Sequence, residues 1–173
     1  MPVVPDASPL IALSKVSRVD LLTALYREAL VTPGVWEEAV VQGRMLGAAD
    51  AGYLEMASRE LPLIRVTMSR REKELSDRLR QEWSLGKGES EALAVAGMRR
   101  AMVVIDDKAG RAAAVALGIA RLGTIGVVHQ AYVRRMIAYQ DLVGLLETLG
   151  KTLWLSPDLL AGVLKQAWEA ERK

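Results

Sequence analysis

Cysteine is absent from the 173-residue sequence, and histidine occurs once, at His129. The first absence excludes a disulfide framework, a thiol nucleophile, an iron–sulfur cluster and a cysteine zinc site. The second excludes two-histidine zinc motifs and forces any Ser–His–Asp triad through one residue. No apolar run approaches the ~18 residues that a membrane helix needs. The N-terminus also lacks the basic segment, apolar stretch and small-residue cleavage site of a signal peptide. A soluble, cytoplasmic protein is the expectation. What the chain has in quantity is carboxylate, with 21 Asp and Glu beside 23 Lys and Arg. A net charge of +2 and a pI near 9.0 permit an anionic partner without demanding one.

Short apolar segments alternate with helical patterns along the chain. Val3-Val4, Ala29 to Thr32, Leu63 to Val66, Met102 to Ile105 and Ile119 to Leu122 read as strands. Ser8-Pro9 reads as a helix start with Ser8 as the cap, and Pro33-Gly34 as the stop of the second strand. Ser69 with Glu72 forms a capping-box pattern opening a charged helix to about Trp83. Further helices are expected from about Val35, over Gly47 to Ser58, Glu89 to Arg100 and Lys108 to Leu117, from Thr124, and from Ser156-Pro157 to the end. Strands alternating with helices predict an α/β fold, a mainly parallel sheet with helices on both faces. A chain of this length is expected to form a single domain over residues 1–173.

Ligands of an open α/β sheet gather beyond the carboxyl ends of its strands. Asp6 ends the first strand, Glu37 and Glu38 open the helix after the second, Glu89 and Glu91 open the helix before the Met102 strand, and Asp106 and Asp107 end that strand. The topology therefore carries acids that are distant in sequence to one rim. Two carboxylates ~4 Å apart repel by roughly 4 kcal/mol at an effective dielectric near 20. Such a cluster protonates or recruits a divalent cation, and an all-oxygen donor set suits Mg²⁺ or Mn²⁺ better than zinc.

Val3 to Leu13 (strand, acid, hydroxyl residue two further on, apolar helix) resembles the opening of PIN-domain proteins. Val35-Trp36-Glu37-Glu38-Ala39, Gly88 to Ala96 and Val103 to Lys108 resemble their second, third and fourth acidic motifs, and Gly123 to Val128 their threonine-containing segment. The motif-bearing core spans about residues 3–130, with a helical C-terminal extension over about 131–173. The likeness is greatest to the short prokaryotic PIN-like proteins predicted to bind nucleic acids. It implies a three-layer α/β/α fold and an endoribonuclease that uses Mg²⁺ or Mn²⁺ to activate water. It also implies a homodimer, with the possibility of a toxin held by a small antitoxin protein. Carried over by position, Asp6, Glu38, Glu89 and Asp107 are the catalytic and metal-binding acids, with Glu91 and Asp106 as alternates. Ser8 would orient Asp6 and Thr124 would support the rim. The alternative is a catalytically silent fold that binds RNA or a protein.

Arg111, one turn beyond Asp107, is the basic residue expected nearest substrate phosphate. The arginine-rich stretch from Arg65 to Lys87 reads mainly as a solvated helix with i,i+4 pairing, in which some arginines could flank the rim. His129 falls in an apolar helical pattern, which favours a structural or surface role. Trp36 and Trp83 favour packing over base stacking. Leu159, Leu160, Val163, Leu164 and Trp168 form an apolar stripe suited to self-packing or a partner.

Overall fold

A computed structural model of the chain describes residues 1–153 and 156–171. Five short strands, β1 (Val3–Pro5), β2 (Ala29–Val31), β3 (Leu63–Arg65), β4 (Met102–Val104) and β5 (Arg121–Leu122), form one sheet in the order β3-β2-β1-β4-β5. Every pairing is parallel. Val3, Val4, Val103 and Val104 are fully buried, as parallel strands covered by helices require. The chain is thus α/β, with the sheet flanked by helices.

Eleven helices are described: α1 (Ala7–Lys15), α2 (Asp20–Tyr26), α3 (Pro33–Trp36), α4 (Gly43–Met45), α5 (Ala49–Glu60), α6 (Arg70–Trp83), α7 (Lys87–Arg99), α8 (Lys108–Ala116), α9 (Thr124–Val133), α10 (Tyr139–Thr152) and α11 (Pro157–Glu171). A π-helical turn, Glu37–Gln42, joins α3 to α4. The last two residues of the expected tail helix, Arg172 and Lys173, lie outside the described residues.

The strand order reverses between β1 and β4. β2 and β3 lie on one side of β1, and β4 and β5 lie on the other. Pro5 is paired with Val104, and the Asp6 N–H continues the ladder to the Val104 carbonyl at 2.9 Å. The ends of β1 and β4 therefore open at the same point, where an α/β sheet forms its crevice.

Three helix starts differ from the sequence expectation. Asp6, not Ser8, occupies the cap position of α1, and Ser8 is exposed in its first turn. Pro33-Gly34 does not end β2 but opens α3, whose cap Thr32 accepts a hydrogen bond from the Val35 N–H. Proline in the first helical turn lacks only a donor that has no helical partner. α7 begins at Lys87, two residues before Glu89, and this places Gly88 in its first turn.

The charged helix α6 pairs Arg70 with Glu74 on its exposed side, as i,i+4 spacing suggests. Its Glu72 instead turns inward, closes the capping box with Ser69, and receives Arg99 from the end of α7 at 2.7 Å and 3.1 Å. The Arg99 guanidinium beside it holds the Glu72 carboxyl below its usual range. Part of the apolar stripe of α11 packs within the chain, while Leu159 and Trp168 stay exposed. Leu160, Val163 and Leu164 lie against the core, and Trp168 is tilted over Tyr139 at 6.0 Å.

Candidate active site

The acids reach one rim because each stands where a strand ends or a helix begins. Asp6 follows β1, Glu38 lies in the π turn after α3, Glu89 is in the first turn of α7, and Asp107 caps α8. All four line one cavity of about 910 Å³ at the β1/β4 crevice. Helix N-termini point at this space, and their amides favour negative charge there.

Asp6 is the innermost of the four, 4% exposed, and among the described residues its buried Oδ1 has no hydrogen-bond partner. Burial pushes its carboxyl up to about 7, helped by the nearby charges of Glu89 and Glu38 and opposed by the Ala7 and Ser8 backbone amides. Ser8 lines the cavity, but among the described residues its hydroxyl makes no hydrogen bond to Asp6. Its backbone N–H is what acts on the carboxylate.

The other three are each held by backbone amides. Glu38 accepts from the Gly88 N–H at 3.0 Å, Glu89 from the Gly86 N–H at 2.9 Å, and Asp107 from the Ala109 and Gly110 N–H groups at 2.6 Å and 3.1 Å. Gly110 also lies beside Glu89. Glu89 Oε1 stands 3.4 Å from the position a Cβ would take on the residue whose N–H Asp107 accepts. Among the described residues no three carboxylate or imidazole groups form a ready-made ligand set.

The alternates are engaged differently. Glu91 is buried and accepts from the Gly34 N–H at 2.6 Å, so it ties α7 to α3 and does not line the cavity. With Glu38 on Gly88 it forms a reciprocal clamp, each helix start donating an N–H to a carboxylate of the other segment. A Cβ on Gly34 or Gly88 would lie 2.9 Å from the carboxylate oxygen, so a larger residue at either position would displace the carboxylate. Asp106 lines the cavity, but both its oxygens face the start of α9, where they accept from the Thr124 N–H (2.8 Å) and hydroxyl (2.5 Å). Thr124 is fully buried in this contact, so its support of the rim runs through Asp106. Glu37 points away from the acids, into a separate groove with Trp36 and Arg65, where the Arg65 guanidinium covers the indole at 4.5 Å.

Arg111 lines the cavity and donates one hydrogen bond to the Ile105 carbonyl at 3.2 Å. None of the residues between Arg65 and Arg80 lines it; the second arginine there is Arg121 of β5. His129 is half-buried and also lines the cavity wall. It follows Ile125 and Gly126 at i+4 and i+3 spacing, on the side of α9 that lines the same space.

An all-carboxylate donor set fits a hard divalent cation, and the orphaned Asp6 oxygen supplies a buried anionic group that the protein itself leaves without a partner. No described helix is long and apolar enough to cross a membrane. A family model described as DUF3368, PIN domain, matches residues 2–169. No curated protein matches the chain.

Proposed function

The chain belongs to the PIN-domain family, a fold of nuclease type, and from that premise we propose that it is a Mg²⁺- or Mn²⁺-dependent endoribonuclease. The observation that carries the proposal is Asp6, a buried carboxylate with an unpartnered oxygen, in the same cavity as Glu38, Glu89 and Asp107. These four residues would hold the cation. A bound Mg²⁺ or Mn²⁺ supplies Lewis-acid activation of water and neutralises charge on the phosphodiester.

The chain's own groups do the rest. Amides at the starts of α7 and α8 fix the Glu38, Glu89 and Asp107 carboxylates, so the rim is organised before substrate arrives. Arg111 and Arg121, on the lining of the same cavity, supply positive charge for the RNA backbone. Thr124 and Asp106 fasten the start of α9 to the end of β4 and thereby set the width of the crevice.

RNA cleavage by purified protein titrated with Mn²⁺ tests the proposal, alongside Asp6→Asn and Asp107→Asn. Cleavage that needs the metal and is lost in both variants, with folding retained, is expected. Equal cleavage by all three chains would identify a contaminating nuclease.

A second reading, a fold that binds RNA or a protein without cutting, is favoured by one feature: three of the four rim acids already accept amide hydrogen bonds. In that case Mn²⁺ would raise neither the melting temperature nor turnover. We also propose a cytoplasmic location and a homodimer, with a small antitoxin-like protein as a further partner. Size-exclusion chromatography with light scattering checks the first of these partners.

A further inference from the structure

Of the two carboxylates on the seam between α3 and α7, Glu38 reaches the cavity and Glu91 does not. Glu91 is 8% exposed, and its Oε2 accepts the Gly34 N–H at 2.6 Å. Gly34 stands in the first turn of α3 and Gly88 in the first turn of α7, where amides have no partner within their own helix. Each is satisfied from the other segment, Gly34 by Glu91 and Gly88 by Glu38. The spacing makes the two bonds one device. Gly34 and Glu38 are four residues apart, and Gly88 and Glu91 three, so on each segment donor and acceptor share a face. Neither glycine has a positive φ, so the backbone alone would admit a side chain at either position. What a Cβ would meet there, at 2.9 Å, is the facing carboxylate.

Resting on the cation site proposed above, we infer that Glu91 is a positioning residue: its hold on Gly34 sets α3 against α7 and so keeps the Glu38 carboxylate at the cavity, without Glu91 touching the cation. The backbone that carries Glu38 makes such a hold necessary. Glu38 is the second residue of a π turn, a backbone form rarer than the α-helix and found mostly as single turns at functional places. The preceding α3 has four residues, too few to hold a position by its own hydrogen bonds. Its start is tied at two points: Thr32 accepts from the Val35 N–H, and the Gly34 N–H is given to Glu91. The second tie reaches α7, the helix that also carries Glu89 and the Gly88 N–H. Residues two apart on an α-helix are about 200° apart around its axis. One helix can therefore serve the cavity with Glu89 and α3 with Glu91.

Calorimetric titration of the full chain with Mn²⁺ tests this, together with amide exchange followed by NMR in the metal-free protein. Glu91→Ala is expected to weaken Mn²⁺ binding by about tenfold or more, the effect of removing a group that orients a ligand. It should also speed exchange of the Gly88 amide, although Glu38, the acceptor of that amide, is intact. Gly34→Ala crowds the same carboxylate from the other side and should do likewise. Glu91→Gln keeps an oxygen that can accept the Gly34 N–H and should bind Mn²⁺ as the wild type does. A glutamine variant as weak as the alanine one would make Glu91 a ligand and overturn the positioning role. Unchanged Mn²⁺ affinity in Glu91→Ala would overturn it too, since a residue that only packs moves the melting temperature and leaves the cation alone. If Glu91→Ala fails to fold, Gly34→Ala and Glu91→Gln still decide. Should the wild-type chain bind no Mn²⁺, the cation site falls, and Gly88 exchange judges the clamp by itself. Faster exchange in Glu91→Ala would then keep Glu91 in control of Glu38, and unchanged exchange would remove that role as well.

Discussion

Two carboxylates in this chain are buried almost equally, Asp6 at 4% and Glu72 at 3% exposure, and their surroundings differ in nearly every other respect. Glu72 meets the guanidinium of Arg99, the backbone N–H of Ser69 and the Ser69 hydroxyl at its own amide, and its carboxyl is held low. Asp6 meets two other acids and keeps an oxygen with no partner, and its carboxyl is pushed up to about 7. The fold thus solves a buried charge once with its own cation and leaves it unsolved once, at the β1/β4 crevice. A charge left unsolved at such a place is relieved either by a proton or by a bound cation, and the proposed function assigns it the second.

Removing the unsolved charge tests the difference most severely. Asp6→Asn keeps the shape of the side chain and deletes its negative charge. If Asp6 helps hold the cation, cleavage in Mn²⁺ falls by at least about 10²-fold, the equivalent of about 3 kcal/mol of transition-state stabilisation. Initial rates on a labelled RNA measure it. An unchanged rate would make Asp6 a structural residue like Glu72.

The next effect is on stability against pH. The folded state holds the Asp6 proton more tightly than the unfolded chain does, so without a cation this group lowers stability as pH rises from about 4 to about 7. The loss is on the order of a few kcal/mol and is complete above about 7. Urea denaturation should show it as a difference between wild type and Asp6→Asn that opens across this window, the variant being the more stable at pH 8. Mn²⁺ at pH 8 should close the gap. Glu72 has the opposite sign: its lowered carboxyl stabilises above the ordinary value of 4.5 and loses that contribution on acidification.

Breaking the solved pair is the reciprocal experiment. Arg99→Ala leaves Glu72 buried beside Ser69 without its counter-charge and should cost about 2–3 kcal/mol of folding stability, since the arginine is itself partly exposed. RNA cleavage below the melting transition should stay at the wild-type rate. A fall in cleavage at full folding would mean that the two ends of α7 are coupled.

The sequence showed one of these acids more readily than the other. Alternation of short apolar runs with helices was sufficient to place five strands, because parallel strands covered on both faces must be apolar throughout. It was also sufficient to put acids at strand ends. What it could not show was which of two neighbouring acids faces the crevice. Glu89 and Glu91 are two residues apart on one helix, and only the packing of α3 against α7 turns Glu91 to Gly34. Asp106 and Asp107 are adjacent, and the start of α9, seventeen residues beyond Asp107 at Thr124, claims the first. The π turn that carries Glu38 has no composition signal, and His129 reaches the cavity through a helix whose apolar pattern suggested packing. For Glu72 the sequence showed the capping box with Ser69 but not the burial, because its partner Arg99 lies on the next helix.

Gly88 gives the finest test of why the rim acids stand ready. A Cβ at this position would lie 2.9 Å from Glu38 Oε2, so Gly88→Ala must push the Glu38 carboxylate off the start of α7. The helix itself has little reason to object, since alanine is the better helix former and the residue is in the first turn. Stability should therefore be near wild type while cleavage falls by about tenfold, through loss of a preorganised ligand and not of a charge. Glu38→Gln should then add little to Gly88→Ala if both act through the same carboxylate, whereas independent losses would multiply. Rates for the two single variants and the double variant, compared at saturating Mn²⁺, separate these outcomes. A Gly88→Ala chain that cleaves at the wild-type rate would show that the amide contact in the free protein is not the arrangement that works on RNA.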